Sequence, residues 1–255
     1  MIKISKALEK QEDESSRQSG ITGHLDDHLY MYHIPYSYTA EQIRKLRTYL
    51  FHMPEKKVPR VIMVTSALPG EGKSVIASNL AIAIAKGEDH QVLLVDCDLR
   101  KPSLHELFKY PPSRGISEII QGKAQISECL IKTPIENLII LPAAKEPPAN
   151  PSELLESKKT GVLIKELAKR EGDWFVIIDS PPIQATVDPK ILADVVEAII
   201  VVTRYRYTRD AEYKMALEAL PKEKIVGTVL NALDALPVKK YKYNKYKYYN
   251  HYYTR

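Results

Sequence analysis

Residues 61–85 of this 255-residue chain read VIMVTSALPGEGKSVIASNLAIAIA. The stretch opens with a short apolar run at Val61–Val64, passes through a turn that contains two glycines, and continues as a helical run over Ser74–Ala85. Comparable apolar runs recur at Val92–Val95, Leu138–Leu141, Phe175–Ile178, Ala198–Val202 and Ile225–Leu230, and further helical patterns span Gly161–Arg170 and Asp210–Leu220. Short apolar runs separated by helices are typical of strands buried on both faces of a parallel sheet. The sequence therefore predicts an α/β fold with a doubly wound, mostly parallel sheet.

The turn between the first strand and its helix has the composition of a phosphate-binding loop. Ala67–Ser74 fits the pattern G-x-x-x-x-G-K-[ST], except that Ala67 replaces the first glycine. In such a turn, backbone N–H groups surround phosphate oxygens, Lys73 reaches the β- and γ-phosphates, and the Ser74 hydroxyl binds Mg²⁺. A chance glycine-rich turn with a surface lysine is the alternative. The predicted nucleotide-binding residues are Pro69, Gly70, Glu71, Gly72, Lys73, Ser74 and Val75.

Three aspartates follow predicted strands at the edge where the phosphate loop lies. Asp96 and Asp98 come after Val92–Val95, and Asp179 comes after Phe175–Ile178. Carboxylates in this position can hold Mg²⁺, organise its water and accept a proton from an incoming hydroxyl. The alternative is that they are solvated turn or capping residues. We predict that Ser74, Asp96 and Asp179 bind the metal and that Lys73, Asp96, Asp98 and Asp179 are catalytic.

Composition excludes several classes of protein. The chain is 44% hydrophobic and 27% charged, an ordinary globular balance, and no window approaches the roughly 20 apolar residues of a membrane span. The spacing of Cys97 and Cys129 argues against a structural zinc site. The net charge is +5, but residues 236–255 carry six Lys and Arg and no acid, which leaves −1 for the rest. The basic charge therefore belongs to a tail, and no nucleic-acid partner is expected.

The chain divides into three predicted parts: a flexible leader over residues 1–39, a domain over residues 40–237, and a disordered tail over residues 238–255. The domain is predicted to begin with a helix over Ala40–Met53, which Pro54 ends. Seven tyrosines lie in the last fifteen residues: Tyr241, Tyr243, Tyr246, Tyr248, Tyr249, Tyr252 and Tyr253. Lysines interleaved with tyrosines suit a phosphorylation substrate, binding to nucleic acid or anionic lipid, or a solubilising terminus.

These motifs resemble one family, the bacterial tyrosine kinases of exopolysaccharide and capsule synthesis. The resemblance covers Ala67–Ser74, Val92–Arg100, Val176–Pro181, the stretch NPSELLES at Asn150–Ser157, and the tyrosine tail. It implies autophosphorylation of the tail in trans with ATP and Mg²⁺, Asp98 as general base, and Asp96 and Asp179 on the metal. The leader resembles the exosortase-associated subgroup.

The resemblance also bears on assembly and partners. Glu41, Arg44 and Arg47 are spaced by three, which places them on one helix surface, either as weak solvated pairs or, as the family implies, as an oligomer contact. Implied partners are other copies in a ring, a membrane adaptor or polysaccharide co-polymerase, and a cognate tyrosine phosphatase. The implied location is the cytoplasm, at the inner face of the membrane. The alternative function is a nucleotide-switched, partitioning-type ATPase scaffold, although Leu68 stands where those proteins carry a lysine.

Overall fold

The computed structural model describes residues 21, 23–53, 57–87, 90–168 and 174–233. The tyrosine tail and the first twenty residues of the predicted leader lie outside the described residues.

Seven strands form one sheet. They are β1 (Val61–Ser66), β2 (Gln91–Asp96), β3 (Ile131–Lys132), β4 (Leu138–Leu141), β5 (Trp174–Asp179), β6 (Ala198–Arg204) and β7 (Ile225–Asn231). Their spatial order is β3-β4-β2-β5-β1-β6-β7, and every neighbouring pair is parallel except β3 with β4. The predicted parallel α/β sheet is confirmed, and all six predicted strands are present.

Ten α-helices and one short 3₁₀ helix are found among the described residues. The helices are α1 (Tyr30–His33), α2 (Tyr38–Phe51), α3 (Lys73–Ala85), α4 (Leu104–Phe108), α5 (Ile116–Ile120), α6 (Ile126–Cys129), α7 (Pro151–Glu156), α8 (Lys158–Ala168), α9 (Asp188–Ala193) and α10 (Asp210–Glu218), with the 3₁₀ turn at Lys222–Lys224. The helix predicted over Ala40–Met53 is α2, which begins earlier because the Ser37 hydroxyl caps it by accepting a hydrogen bond from the Ala40 N–H at 3.1 Å.

The two faces of the sheet support two separate apolar clusters. Successive side chains of β1 point to opposite faces of the sheet, so Val61 and Met63 belong to one cluster and Ile62 and Val64 belong to the other. The first cluster includes residues of α8, α9 and α10, and the second includes residues of α2 and α3. Helices therefore cover both faces, as a doubly wound sheet requires.

Helix α3 lies between the sheet and the elements outside it. All of its residues except Lys73 and Val75 are buried, so it has no solvent-facing side. Its Ala83 carbonyl accepts a hydrogen bond from the Arg47 guanidinium of α2 at 2.8 Å. Helix α3 therefore connects the turn at its N-terminus to α2 at its far end.

The predicted boundary at residue 40 differs from the structure. Leu25, Leu29 and Met31 are buried in the same apolar cluster as α3. The side-chain amide of Asn79 in α3 accepts a hydrogen bond from the Met31 N–H at 2.9 Å and donates one to the His28 carbonyl at 2.8 Å. The segment from Leu25 onward is therefore packed into the domain rather than being part of a flexible leader, because it covers apolar surface on α3.

Candidate functional site

The predicted phosphate loop is a strand-to-helix turn with two glycines in the left-handed region. It joins the carboxyl end of β1 to Lys73, the first residue of α3. Gly70 has φ +78° and Gly72 has φ +90°, values that residues with a Cβ rarely adopt. A Cβ on Gly72 would overlap the side-chain amide nitrogen of Asn231, so this position also needs a residue without a side chain. The turn presents the N-terminus of a 13-residue helix to the cleft described below.

Glu71 lies inside the loop rather than facing the cleft. Its side chain is fully buried, and its carboxylate accepts a hydrogen bond from the Leu68 N–H at 2.7 Å. The Thr208 hydroxyl donates to the other carboxylate oxygen. The side chain of this predicted nucleotide-binding residue therefore braces the loop, and its backbone N–H is the group it can offer to a phosphate.

Residues at the ends of β6 and β7 hold the outer side of the loop. Arg204 donates to the Gly70 carbonyl at 3.1 Å, and the Tyr207 hydroxyl donates to the Pro69 carbonyl at 3.2 Å. The Asn231 amide donates to the Glu71 carbonyl at 2.9 Å. With these carbonyls occupied, the loop can direct its N–H groups towards an anion.

The aspartates predicted from strand ends meet at the base of this loop. Asp96 and Asp179 are paired in register at the ends of the adjacent strands β2 and β5. The Lys73 ammonium lies 3.0 Å from an Asp98 carboxylate oxygen and 3.7 Å from one of Asp179. It also donates to the Ser74 hydroxyl at 3.2 Å. The structure therefore brings together all of the residues predicted to be catalytic.

Burial governs the electrostatics of this group. It raises the pKa of Asp96 to about 8, with a further contribution from the negative charge of Asp179. Burial also raises the pKa of Asp179, against the opposing effect of Lys73. Burial acts to lower the pKa of Lys73, but the carboxylates of Asp179 and Asp98 outweigh it and leave this pKa raised. Three buried acids beside one lysine form a site that favours an additional cation.

The donor set fits Mg²⁺. Both carboxylate oxygens of Asp179 are buried, and within the described part of the chain neither has a hydrogen-bond partner, while the Lys73 ammonium at 3.7 Å compensates their charge only in part. Asp96 already accepts hydrogen bonds from the backbone N–H groups of Asp98, Ser103 and Leu104. A buried carboxylate without donors is unfavourable unless a cation compensates it, and Mg²⁺ prefers oxygen ligands. Ser74, Asp96 and Asp179 are therefore the residues that would hold the ion.

A cleft of about 490 Å³ opens onto Lys73, Ser74 and Asp98 of this group. The phosphate loop and Ser74 line one side, and Asp98, Arg100 and Lys101 line another. Val75 and Pro69, both predicted nucleotide-binding residues, also line it. The volume lies within the range of small-molecule sites, so the cleft is large enough to receive a nucleotide.

A polar network that no sequence motif predicts fixes Arg100 at the rim of this cleft. The Arg100 guanidinium donates to the fully buried Asp188 carboxylate at 3.1 Å and to the Ser152 hydroxyl at 2.8 Å. Ser152 in turn donates to Asp188 at 2.6 Å. Ser152 belongs to the stretch NPSELLES, which the sequence identifies as a motif without indicating its contacts. The motif therefore supports the rim of the cleft from α7.

The predicted oligomer contact residues have partners within the chain. Arg44 forms a 2.9 Å ion pair with Glu41 and also donates to the Pro35 carbonyl. Arg47 donates to Ala83 of α3. Both arginines are partly exposed, so each retains surface that another molecule can contact.

In P-loop nucleotide-binding proteins, a turn with glycines begins a helix and lies beside aspartates at the ends of neighbouring strands. This chain has that construction and belongs to that class. A family model described as an AAA domain matches residues 59–215. The chain is 35% identical to the tyrosine-protein kinase YwqD of Bacillus subtilis over 219 residues. This match covers 84% of this chain and 88% of YwqD. It is 33% identical over 244 residues to the tyrosine-protein kinase Wzc of Salmonella typhimurium, and there it spans 33% of the length of that protein.

Solved structures agree with these relatives. The chimerical protein CapA2B2 matches with a TM-score of 0.75 and 30% identity, over 87% of this chain and 97% of CapA2B2. The septum site-determining protein MinD of Pyrococcus horikoshii, complexed with Mg-ADP, matches with a TM-score of 0.54 and 25% identity over 67% of this chain and 69% of MinD. The chain belongs to the bacterial tyrosine kinase family. No helix within the described residues has the length and apolar character that crossing a membrane requires.

Proposed function

We propose that the chain transfers the γ-phosphoryl group of ATP to tyrosines of its own C-terminal tail, in trans between subunits. The observation that carries this proposal is the Lys73–Asp98 pair, with its 3.0 Å contact on the cleft wall below the phosphate loop. Lys73 is the first residue of α3, and its side chain can turn from Asp98 towards the β- and γ-phosphates of ATP. When Lys73 turns to the phosphates, an Asp98 oxygen becomes available to an incoming phenol.

The residues around the cleft can carry out each proton transfer and charge stabilisation that the reaction needs. Asp98 accepts the proton of the tyrosine hydroxyl as the phenolic oxygen forms a bond to the γ-phosphorus. The bond from that phosphorus to the bridging oxygen breaks, and ADP leaves with the electron pair. Lys73 and the N–H groups of the loop stabilise the charge on the phosphoryl oxygens. A magnesium ion at Ser74, Asp96 and Asp179 supplies further neutralisation of the phosphates when bound.

The basic tail is the proposed substrate. Its tyrosines at 241, 243, 246, 248, 249, 252 and 253 lie in a basic segment without acids, which acidic groups of a neighbouring subunit would attract. Each phosphate adds roughly −1.5 to −2 charges at neutral pH, so a few phosphorylations reverse the charge of the tail. A tail with reversed charge should leave acidic groups of the neighbouring subunit, which would give a route from assembled to separated subunits.

Assembly and partners complete the proposal. Glu41, Arg44 and Arg47 form the contact between copies in a ring, with one face of α2 presented to the neighbour. A membrane adaptor recruits the chain to the inner face of the membrane, a tyrosine phosphatase reverses the modification, and the cycle controls exopolysaccharide synthesis or export. The names of YwqD and Wzc support the kinase activity alone; the partners and the polysaccharide are part of this proposal.

Phosphotyrosine mapping tests the activity. The purified full chain is incubated with ATP and Mg²⁺ and analysed by mass spectrometry, alongside Lys73→Met and the control Lys190→Met, which replaces an exposed lysine on α9. We expect phosphotyrosine within residues 241–253 in the wild type and the control, and none in Lys73→Met. Turnover of ATP with an unmodified tail would instead support the partitioning-type scaffold.

Light scattering tests the assembly. Replacing Glu41, Arg44 and Arg47 together by Ala should give smaller species and slower autophosphorylation. Lys45→Ala, at an exposed position on the same helix, is the matched control. Unchanged size and rate in the triple variant would remove the interface role of these residues.

A further inference from the structure

Two histidines and one aspartate form a cluster in the packed N-terminal segment, and none of the three lines the nucleotide cleft. His24, Asp27 and His33 each place one potential ligand atom within 4.8 Å of the others. His24 and Asp27 are exposed and His33 is partly buried, so the cluster is open to solvent on one side. It lies between the loop that precedes α1 and the C-terminal end of that helix.

A backbone contact fixes the tautomer of His33. Its Nε2 lies 3.1 Å from the Leu25 carbonyl oxygen. Because a carbonyl oxygen only accepts hydrogen bonds, Nε2 carries the proton, and the neutral ring keeps a lone pair on Nδ1. Histidines that bind metals commonly donate their other ring N–H to a backbone carbonyl in this way, which orients the ring.

Asp27 differs from its neighbour Asp26 in its contacts. Asp26 accepts a hydrogen bond from the His28 N–H at 2.9 Å and lies 2.7 Å from the His28 ring nitrogen. In the described part of the chain, by contrast, the Asp27 carboxylate has no hydrogen bond or ion pair. Asp26 and His28 are therefore paired with each other. Asp27, by contrast, has a carboxylate that is available to a ligand beside His24 and His33.

The backbone that carries the cluster is anchored. Leu25 and Leu29 are buried on the domain, and the Asp26 N–H donates to the Leu107 carbonyl at 2.9 Å. The cluster thus sits on a fixed loop, and its exposed side chains can adjust by rotation alone. Preorganised backbone of this kind reduces the conformational entropy lost when side chains close on a ligand.

We propose that His24, Asp27 and His33 form a site for a divalent zinc ion, with water in the fourth position. Two imidazole nitrogens and one carboxylate oxygen are a zinc donor set, whereas Mg²⁺ and Ca²⁺ prefer oxygen ligands throughout. Ligands of a tetrahedral zinc ion lie about 3.4 Å from one another, given bonds of about 2.0–2.1 Å. The present spacing is therefore within reach of side-chain rotation.

Binding requires one visible change. The rings of His24 and His33 are stacked, with centroids 4.7 Å apart and planes inclined by 16°. Two nearly parallel rings cannot both aim a lone pair at one ion, so the exposed His24 ring turns when the ion binds. Its ligands are imidazoles and a carboxylate, so the site needs no cysteine.

The site would tie the loop before α1 to the end of α1, immediately ahead of the turn that leads into α2. Arg44 of α2 donates to the Pro35 carbonyl in that turn. An ion at this place therefore stabilises the packed N-terminal segment against the rest of the domain. Nothing in the phosphotransfer chemistry depends on it.

Titration with ZnCl₂ tests the proposal. The full chain, without a histidine tag and saturated with Mg-ADP so that the nucleotide site is occupied, is titrated by calorimetry. The same samples are loaded with Co²⁺ to record its visible absorption. His24→Ala and Asp27→Asn alter exposed ligands, and His28→Ala is the matched control, because this exposed histidine lies in the same loop outside the cluster.

We expect the wild type and His28→Ala to bind one Zn²⁺ and to show the same Co²⁺ spectrum. His24→Ala and Asp27→Asn should weaken binding by at least about tenfold, since even the loss of an outer-shell partner costs that much, and should change the spectrum. Zinc should raise the thermal unfolding midpoint of the wild type and of His28→Ala only. Zinc affinity no tighter than millimolar in the wild type, or equal affinity in His24→Ala, would overturn the proposal.

Discussion

The contact between Gly72 and Asn231 gives a prediction whose size follows from geometry. Alanine at Gly72 must adopt φ +90° and must also displace the Asn231 amide, which a Cβ would overlap. Alanine at Gly70 must adopt φ +78°, yet it meets nothing within 4 Å. Both substitutions stiffen the unfolded chain to the same degree. The two glycines therefore share the conformational cost and differ in the contact with Asn231.

The expected magnitudes are as follows. Holding a residue with a Cβ in the left-handed region costs about 1–2 kcal/mol, so Gly70→Ala should lower the free energy of unfolding by that amount. Gly72→Ala should also lose the 2.9 Å hydrogen bond from Asn231 to the Glu71 carbonyl, which is worth about 1 kcal/mol. Its total cost should therefore be about 2–3 kcal/mol. In an Asn231→Ala background, where that bond is already absent, Gly72→Ala should cost about 1–2 kcal/mol.

Urea unfolding at 25 °C without nucleotide, followed by circular dichroism, measures these differences. Five proteins are required: the wild type, the two glycine variants, Asn231→Ala, and the Gly72→Ala/Asn231→Ala double variant that closes the cycle. Equal costs for Gly72→Ala and Gly70→Ala would show that Asn231 does not constrain the loop. A cost for Gly72→Ala that is the same in both backgrounds would lead to the same conclusion.

Three further predictions concern pH, the polar network and the N-terminal segment. Because burial raises the pKa of Asp96 from 3.8 to about 8, the folded protein keeps a proton that the unfolded chain releases. The free energy of unfolding should thus fall as pH rises between these values, by at most about 1.4 kcal/mol per pH unit, and Asp96→Asn should flatten the decline in urea titrations. Arg100→Ala leaves the buried Asp188 carboxylate with less compensation and should cost about 2–3 kcal/mol, whereas a cost below about 0.5 kcal/mol would mean that the network does not stabilise the fold. Leu29→Ala should cost about 2–4 kcal/mol in the same assay. Ile34→Ala, in the same segment at a position that is 51% exposed, should cost less than about 1 kcal/mol, and equal effects would contradict the packing of this segment.

The parallel sheet and the phosphate loop were predictable because their signals are local. Buried parallel strands are continuous apolar runs, as in β1 and β5, and the loop pattern lies within eight consecutive residues. The aspartates were also predictable, because the carboxyl ends of parallel strands meet at one edge. The two-residue strand β3 has no pattern long enough to detect, so it was missed.

Contacts between distant residues could not be predicted in the same way. Thr208 and Arg204 hold a loop more than 130 positions earlier in the chain, and no periodicity links the two segments. Glu71 looked like a residue facing the nucleotide, because its inward orientation depends on Thr208. The segment around Leu25 and Leu29 looked like a leader, because its buried residues are few and are separated by His and Asp.

The almost complete burial of α3 has a thermodynamic consequence for the proposed ring. The helix contributes Lys73 and Ser74 to the phosphate site and, ten residues later, receives Arg47 from the helix proposed to meet another subunit. If nucleotide binding at Lys73 and Ser74 shifts α3, the contact between Ala83 and Arg47 shifts as well. Nucleotide occupancy would then be coupled to subunit association. Such coupling is reciprocal: the factor by which association changes the dissociation constant of ATP equals the factor by which ATP changes the dissociation constant between subunits.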